Sequence, residues 1–235
     1  MPDRYKVMTI GDAMITFNPS VQGPLRFVES FNRKVGGAEL NFAIGCARLG
    51  LESKWVSRLG KDEFGRVIYN FTRGEGVDVS EVKLVEGYPT SLNFKEINGD
   101  GSGKTFYYRY HSPITTLTPE KVKEEWLADV DLLHLTGVFM AVDPNNVKVV
   151  KRLVEIAKDK GVPVSFDPNI RLKLWTIEEA RKAYNEIFPY VDILLTGLDE
   201  IRLIIGKDSN EELGKFADEF GIKDLVIKDG ANGSR

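Results

Sequence analysis

Short apolar runs alternate along this chain with longer segments whose apolar residues recur three and four positions apart. The short runs predict buried strands, and the longer segments predict amphipathic helices. The predicted strands are Val7–Ile10, Trp55–Ser57, Leu132–Leu135, Val164–Phe166, Ile193–Leu195 and Leu225–Ile227. The predicted helices are Ala38–Leu49, Glu63–Glu75, Asn145–Lys160, Ile177–Phe188 and Glu211–Phe220. This alternation is typical of an α/β fold, in which helices cover both faces of a mostly parallel sheet and ligands bind at the carboxyl ends of its strands.

One region interrupts the alternation. Ser91–Ile97 and Lys104–Tyr110 are extended runs on either side of a glycine-rich turn, which predicts a β-hairpin. Because the hairpin has no helix of its own to cover it, we interpret it as part of a small accessory β-sheet that forms a lid. We expect one domain over residues 1–235, with lid strands inserted near residues 13–32 and 88–112.

The composition is that of a globular protein. The chain has 235 residues, of which 42% are hydrophobic and 29% charged, and its net charge of −3 argues against nucleic acid as a partner. Its single cysteine, Cys46, lies in an apolar run and is expected to be a core residue in a protein of a reducing compartment. No apolar run approaches the roughly 18 residues of a membrane span and no signal peptide is visible, so the expected location is the cytoplasm.

Several apparent motifs carry little weight. Gly101–Thr105 resembles the end of a phosphate-binding P-loop, but Asn98 stands where the first glycine is needed and a strand-like sequence follows. The first predicted strand leads into Gly11 without a dinucleotide fingerprint. His111 and His134 have no partners at metal-ligand spacing, and His134 is expected to lie in the core. No metal site and no serine nucleophile elbow are predicted.

The glycine pair Gly36 and Gly37 comes directly before a predicted helix, and Asn41 follows one turn later. Glycine lets the backbone approach a ligand closely, and a helix N-terminus offers free N–H groups. These residues therefore form a candidate binding site. An ordinary helix start with a solvated asparagine fits the same sequence.

The predicted hairpin separates polar from apolar side chains. Alternation places Tyr107 and Arg109 on one face, while Asn93 lies on one face of the partner strand with Phe94 on the other. The polar face suits a lid over a small polar anion, although a solvated outer face has the same pattern.

A second candidate segment, residues 167–171, follows the strand Val164–Phe166 and includes Asn169 and Arg171. Arg171 and Arg109 are both suited to a carboxylate, because a guanidinium donates two parallel hydrogen bonds. A structural Asp–Arg pair in a loop is the alternative.

Together these residues resemble the ribokinase (pfkB) family of carbohydrate kinases over the whole chain. The resemblance rests on Gly11 and Asp12 after the first strand, on Gly36–Ala43, and on the Gly-x-Asp-x-x-Gly turn in Leu59–Gly65. Phe106–Arg109 and Asp167–Trp175 are similar to the corresponding segments of 2-keto-3-deoxygluconate kinases. The resemblance implies a three-layer αβα, Rossmann-like fold with a β-sheet lid. It also implies phosphorylation of the terminal hydroxyl of 2-keto-3-deoxygluconate to 2-keto-3-deoxy-6-phosphogluconate, with ATP and Mg²⁺.

The resemblance also implies roles for individual residues. The expected sugar-binding residues are Asp12, Gly36, Gly37, Asn41, Asn93, Tyr107, Arg109, Asn169 and Arg171. The expected nucleotide-binding residues are Glu200, Lys228, Gly230 and Gly233. Gly197 stands where the family usually has an asparagine, three residues before Glu200. Lid-mediated oligomers occur in the family, so a homo-oligomer through the lid sheet is expected.

The family's Gly-Ala-Gly-Asp motif, whose aspartate is the catalytic base, does not occur in this sequence and is expected beyond Arg235. The nucleotide-binding part is therefore expected to be truncated, and no catalytic residue is assigned within the 235 residues.

Three alternatives remain open at this point. The chain is a kinase of another sugar (ribose, fructose or a related keto-sugar acid), a catalytically impaired sugar-acid-binding protein, or a scaffold subunit assembled through the lid. Measured phosphate transfer would exclude the last two. Sugar binding without transfer would favour the binding protein, and neither activity would favour the scaffold.

Overall fold

The computed structural model describes residues 5–235, and these residues form an α/β fold with a seven-stranded parallel sheet and a smaller, four-stranded mixed sheet. The strands are β1 (Lys6–Ile10), β2 (Met14–Pro19), β3 (Phe31–Gly36), β4 (Glu52–Gly60), β5 (Val82–Val85), β6 (Ser91–Ile97), β7 (Gly103–Tyr108), β8 (Leu132–Thr136), β9 (Val164–Asp167), β10 (Ile193–Gly197) and β11 (Asp224–Lys228). The α-helices are α1 (Ala38–Arg48), α2 (Glu63–Gly74), α3 (Gly137–Val142), α4 (Pro144–Lys160), α5 (Ile177–Asn185), α6 (Leu198–Ile205) and α7 (Asn210–Phe220). The predicted α/β class with a small accessory sheet is confirmed.

All six predicted parallel strands and all five predicted helices form, with shifted ends. Among the helices, the largest shift concerns α5, which was expected to continue to Phe188 but ends at Asn185, followed by a 3₁₀ turn over Phe188–Tyr190. Pro189 explains the early end, because proline donates no N–H and disfavours a helical conformation in the residue before it. In the part of the chain that the structure describes, no helix is long and apolar enough to cross a bilayer.

The hydrophobic pattern missed the shortest helices, α3 and α6. They have six and eight residues, which is too few for a clear 3.6-residue period. Both begin directly after a parallel strand, at its carboxyl end. The hydrophobic pattern alone therefore did not reveal these two helices.

The chain divides into two compact units, which are described separately. Unit 1 consists of Met1–Ile10 and Leu117–Arg235, with residues 1–4 outside the described part. Its parallel strands lie in the order β11-β10-β9-β8-β1. An aromatic cluster packs behind β9, where the ring centroids of Phe166 and Tyr184 are 5.3 Å apart and those of Phe166 and Phe188 are 6.2 Å apart. The cluster fixes α5 against the strand that leads to the 167–171 segment.

Unit 2 is Gly11–Thr116 and contains the parallel pair β4-β5 and the mixed sheet β3-β2-β6-β7. In the mixed sheet, β2 runs parallel to β6 and antiparallel to β3, and β6 runs antiparallel to β7. Its apolar face packs on a core that includes Ile15 and Trp55. Phe17 and Phe94 stack across β2 and β6 with ring centroids 4.7 Å apart. Burial of this face leaves the opposite, polar face of the sheet to form a site.

Candidate functional site

Asp12 is held in a short turn between β1 and β2. The N–H of Gly11 donates to the carbonyl of Val56 (3.2 Å), and the hydroxyl of Ser57 donates to the carbonyl of Gly11 (2.7 Å). These bonds tie the turn to β4 and fix the direction in which the Asp12 side chain leaves the backbone.

The carboxylate of Asp12 forms a buried ion pair with Arg109, which is 97 residues away in the chain. Nε of Arg109 lies 3.1 Å from Oδ2 of Asp12, and the two side chains are only 10% and 2% exposed. The hydroxyl of Ser91 also donates to Oδ2 (3.2 Å), and Ser91 is bonded in turn to Ser112 (3.1 Å). The other carboxylate oxygen, Oδ1, is buried and has no hydrogen-bond partner.

Burial raises the pKa of Asp12, while the positive charge of Arg109 and the nearby hydroxyls of Ser91 and Ser112 act in the opposite direction. A buried acceptor without a donor is costly, so it indicates a position where a ligand supplies the donor. The ion pair uses Nε of Arg109, which leaves the edge formed by its two terminal nitrogens suited to an anion.

Gly37 allows the backbone to pass closely by Asp12. Its φ of 156° is unfavourable for other residues, and a Cβ at this position would lie 2.7 Å from the carbonyl oxygen of Asp12. Gly36 ends β3 and pairs with Met14, while Asn41 is exposed one turn into α1 with its N–H bonded to the Gly37 carbonyl. The structure therefore brings both glycines and Asp12 together at the start of α1.

The polar face of the mixed sheet carries Thr16, Asn93 and Tyr107 in one row across β2, β6 and β7. Asn93 is buried, its Nδ2 donates to the sulfur of Met14 (2.7 Å), and its Oδ1 has no partner. Tyr107 is exposed. The register pairs Asn93 directly with Tyr107, so the two residues that were each expected on a polar face lie on the same face of the hairpin.

The second hairpin strand is shorter than predicted. It was expected to reach Tyr110, but β7 ends at Tyr108. Beyond it, Arg109 turns to Asp12 and His111 adopts a left-handed φ of 52°. The ion pair and this backbone turn take the chain out of the sheet.

In unit 1, the segment of residues 167–171 follows β9 directly. Asp167 pairs with Lys228 at 2.7 Å, and its Oδ1 accepts the N–H of Asn169 at 3.1 Å. Asn169 has a left-handed φ of 39°, which is uncommon outside glycine. Arg171 is exposed, and its Nη1 donates to the carbonyl of Ile170 at 3.1 Å.

Burial raises the pKa of Asp167, the ion pair with Lys228 opposes this, and the negative charge of Glu200 adds to it. Glu200 uses both of its carboxylate oxygens within unit 1. Oε1 accepts the N–H of Ile170 at 2.7 Å, and Oε2 accepts the N–H of Gly197 at 2.9 Å. Two residues predicted to bind nucleotide, Lys228 and Glu200, are thus both bonded to the 167–171 segment.

Gly230 and Gly233 lie in an exposed turn after β11, with left-handed φ values of 52° and 90°. The turn reverses the chain, so that Ile227 and Arg235 exchange two backbone hydrogen bonds of 2.7 and 3.0 Å. An exposed lysine and a glycine turn at the carboxyl end of a parallel strand fit a phosphate group. Among residues 5–235, no group of three His, Cys, Asp or Glu side chains could hold a metal ion.

The residues that we expected to be structural are structural. His134 is buried, its Nδ1 lies 3.1 Å from Oγ of Ser165, and burial together with the charge of Lys228 lowers its pKa to about 4. Cys46 is buried in unit 2. The segment that resembled a P-loop runs into strand β7, so no helix follows its lysine.

Sequence reasoning missed the residues that support the site. Ser91 and Ser112 surround Asp12, and Tyr184 donates to the carbonyl of Pro168 at 2.8 Å. No local pattern distinguishes these residues, because their partners lie 16 to 79 residues away in the chain.

Residues 4–235 match the model of the pfkB family of carbohydrate kinases. The chain belongs to this family. Among curated relatives of this pfkB-family protein, 2-dehydro-3-deoxygluconokinase from Thermoproteus tenax is 34% identical, over 97% of this chain and 70% of the relative. Fructokinase-1 from Zea mays is also 34% identical, over 89% of this chain and 65% of the relative.

Solved structures agree with this family assignment. A PfkB protein from Polaromonas sp. JS666 superposes with a TM-score of 0.93 at 35% identity, covering 98% of this chain and 78% of that one. A putative ribokinase II from E. coli, determined in complex with ATP and Mg²⁺, superposes with a TM-score of 0.89 at 27% identity, covering 98% and 74%. The pfkB-family chain is therefore of the phosphotransferase class, while the roles of its individual site residues remain predictions.

Proposed function

We propose that this chain is a 2-dehydro-3-deoxygluconate (2-keto-3-deoxygluconate) kinase, which uses ATP with Mg²⁺ to phosphorylate the terminal hydroxyl of the sugar acid. The observation that carries the proposal is the buried pair of Arg109 and Asp12, with one carboxylate oxygen of Asp12 left without a donor. Its relatives include 2-dehydro-3-deoxygluconokinases at 30 to 34% identity.

The proposed substrate matches the polarity of these groups. The terminal nitrogens of Arg109 bind the carboxylate, because a guanidinium fork matches two carboxylate oxygens. Oδ1 of Asp12 and Oδ1 of Asn93 accept hydrogen bonds from sugar hydroxyls, which satisfies two buried acceptors. The sugar-binding roles of Gly36, Gly37, Asn41, Tyr107, Asn169 and Arg171 stay predictions.

On the nucleotide side, Lys228 and the turn with Gly230 and Gly233 are proposed to bind phosphate. ATP with Mg²⁺ supplies the phosphoryl group when bound, and Mg²⁺ is commonly held through the phosphates and one or two carboxylates. Lys228 is paired with Asp167, so it exchanges a carboxylate for a phosphate partner on binding. No residue among those that the structure describes is proposed as the catalytic base.

The test measures binding of 2-dehydro-3-deoxygluconate by calorimetry and phosphate transfer from ATP by a coupled assay. In Arg109→Met we expect roughly hundredfold weaker sugar-acid binding, because the carboxylate loses its partner and Asp12 is left as an unpaired buried charge. The matched control is Arg48→Met, which removes an exposed arginine paired with Glu75 in the same unit and should leave binding unchanged. An Arg109→Met protein that binds the sugar acid as tightly as the wild type would contradict the proposal.

The same assays decide between substrates and between activities. Fructokinase is the second candidate, because a fructokinase is also 34% identical to this chain. Fructose has no carboxylate, so preference for fructose would favour that candidate. Binding of the sugar acid without phosphate transfer would favour a binding protein.

We further propose a homo-oligomer through the mixed sheet, and a cytoplasmic location. β7 ends the strand order of this sheet and carries exposed Phe106 and Tyr108. Exposed aromatic side chains beside an edge strand suit pairing with a second copy. A single cysteine suits a reducing compartment.

A further inference from the structure

None of the proposed sugar or nucleotide contacts lies in the Gly-x-Asp-x-x-Gly motif. Its fixed residues are Gly60, Asp62 and Gly65, at the end of strand β4 and the start of helix α2. All three bond or closely approach Thr90, the residue that comes directly before strand β6. Within unit 2, the motif therefore joins the β4–α2 turn to the beginning of a strand of the mixed sheet.

The carboxylate of Asp62 holds Thr90 with both of its oxygens. Oδ2 accepts the N–H of Thr90 at 2.8 Å, and Oδ1 accepts the hydroxyl of Thr90 at 2.8 Å. Oδ1 also accepts the N–H of Gly65 at 2.7 Å, which caps the N-terminus of α2. Burial raises the pKa of Asp62, but the hydrogen bonds from Thr90 and Gly65 outweigh it, so the pKa lies below its ordinary value. The hydrogen bonds to Asp62 thus favour its charged form.

The two glycines of the motif make this close approach possible. A Cβ on Gly60 would lie 2.7 Å from the nitrogen of Thr90, and a Cβ on Gly65 would lie 3.0 Å from its hydroxyl oxygen. That hydroxyl oxygen also accepts the N–H of Gly60 at 3.1 Å. Thr90 is only 4% exposed, so its bonds are made where water does not compete for them.

Strand β6 carries two residues of the candidate sugar site within three positions of Thr90. Ser91 donates its hydroxyl to Asp12 at 3.2 Å, and Asn93 is buried with its Oδ1 unpartnered. Because side chains alternate along a strand, Ser91 and Asn93 lie on the same face. A change in the position or register at which β6 begins would move both side chains together.

We propose that Asp62 and Thr90 are positioning residues for sugar binding, whose hydrogen bonds fix the start of β6 and thereby the direction in which Ser91 and Asn93 face the site. Neither residue contacts the sugar in this proposal. It rests on the proposed function, because it takes Asp12 and Asn93 as sugar contacts, and it involves residues of unit 2 alone.

The helix-capping role of Asp62 can be separated from its bond to Thr90. In Asp62→Asn, the side-chain oxygen still accepts the N–H of Gly65, because asparagine caps helices about as well as aspartate. The amide nitrogen that replaces Oδ2 is a donor, so it faces the N–H of Thr90 without an acceptor between them. Asp62→Asn therefore keeps the cap and removes the backbone bond to Thr90.

The first experiment measures the dissociation constant for 2-dehydro-3-deoxygluconate by calorimetry. We expect roughly tenfold weaker binding in Asp62→Asn, because a buried hydrogen bond to a charged acceptor is lost. The matched control is Asp143→Asn, the same change at the start of α4, where Asp143 accepts the N–H of Asn145 at 2.8 Å. Binding by Asp143→Asn should stay within about twofold of wild type.

A pair of substitutions at Thr90 tests the other side of the contact. Thr90→Val removes the hydroxyl with little change in shape, so the N–H of Gly60 and the carboxylate of Asp62 each lose a partner. Thr90→Ser keeps the hydroxyl. We expect binding roughly tenfold weaker in Thr90→Val and within about twofold of wild type in Thr90→Ser. Equal binding by the two variants would show that the hydroxyl does not position the strand.

Amide hydrogen exchange without ligand separates positioning from capping. A peptide covering residues 88–94 should exchange faster in Asp62→Asn than in Asp143→Asn, because the N–H of Thr90 loses its acceptor. Unchanged exchange in this peptide would overturn the proposal. Acceleration shared equally by residues 63–74 would also overturn it, because Asp62 would then act only as the cap of α2. Faster exchange at 88–94 with unchanged sugar binding would likewise reject the positioning role.

The same variants distinguish failure of this proposal from failure of the proposed function. If wild type binds fructose instead of the sugar acid, the proposed substrate is wrong, and the same ranking of variants is expected with fructose, because Asp12 and Asn93 accept hydroxyl groups of either sugar. If wild type binds neither sugar, the proposed function is overturned and the positioning role for sugar binding falls with it.

Discussion

At the scale of single residues, the candidate sugar site depends on how closely the backbone can approach Asp12. Gly37 provides that closeness, because a Cβ there would lie 2.7 Å from the Asp12 carbonyl. Gly45 lies in the same helix, α1, but a Cβ there would meet nothing within 4 Å. Glycine is therefore required at position 37 for its conformation and small size, whereas at position 45 it only lowers the helix propensity.

Replacing these two glycines with alanine should change the free energy of unfolding in opposite directions. We expect Gly37→Ala to lower the free energy of unfolding by roughly 1–3 kcal/mol and to weaken sugar-acid binding, because the new Cβ displaces Asp12. We expect Gly45→Ala to raise it by about 1 kcal/mol, because alanine is the better helix former. Urea unfolding monitored by circular dichroism measures both. Equal effects of the two substitutions would show that Gly37 has no special role.

At the scale of elements, strand β8 shows what burial does to a titratable side chain. His134 lies within this strand and is bonded to Ser165 of β9. Burial lowers its pKa to about 4 from an ordinary value of 6.5. The folded state therefore resists protonation that the unfolded chain accepts.

The sign of the resulting pH dependence follows from linkage. The contribution of His134 to stability is fully present above pH 6.5 and is lost as the pH falls toward about 4, and over this window it amounts to about 3 kcal/mol. We expect His134→Gln to unfold with a smaller decrease in stability over the same range, as measured by urea titrations at pH 7.5 and pH 4.5. A wild type and a variant with parallel pH profiles would mean that His134 does not titrate in this way.

At the scale of the whole molecule, the open edge of the mixed sheet is the surface through which we propose that the protein assembles. β7 lies at the end of the order β3-β2-β6-β7, with Phe106 39% and Tyr108 62% exposed. Natural proteins usually protect such an edge with charges or bulges. Strand β7 has one charged residue, Lys104, and its other end carries exposed aromatic side chains. An edge of this kind is expected to be covered by a second copy.

Sedimentation velocity tests the assembly. We expect wild type to sediment as an oligomer and Tyr108→Lys to shift toward the monomer, because a buried lysine would oppose association. Leu49→Lys is the control, since Leu49 is 83% exposed at the end of α1 and lies outside the four strands of the mixed sheet. A monomeric wild type, or an oligomer that Tyr108→Lys leaves intact, would reject the lid sheet as the interface.

Much of the fold was predictable because it depends on local patterns. The parallel strands are continuous apolar runs. Helices such as α4 are long enough to show the 3.6-residue period over several turns, and α4 is capped by Asp143 at its N-terminus and by Gly161 at its C-terminus.

The apolar and polar pattern predicted the wrong end for two elements. Pro189 ends α5 early, and the Arg109–Asp12 ion pair with the turn at His111 ends β7 early. The pattern also failed for Ser112 and Tyr184, because a hydroxyl that bonds a distant partner looks in sequence like any other.

The sequence by itself determined the fold class, the helices and strands that are long enough to show a period, and the residue types available at the ends of the parallel strands. These follow from burial of apolar side chains and from backbone preferences, which act between near neighbours. Only the tertiary structure decided that Arg109 pairs with Asp12, that Lys228 pairs with Asp167 and that Glu200 bonds Ile170. Those contacts join residues 30 to 97 positions apart, and their direction depends on how the strands are ordered and which face each side chain occupies.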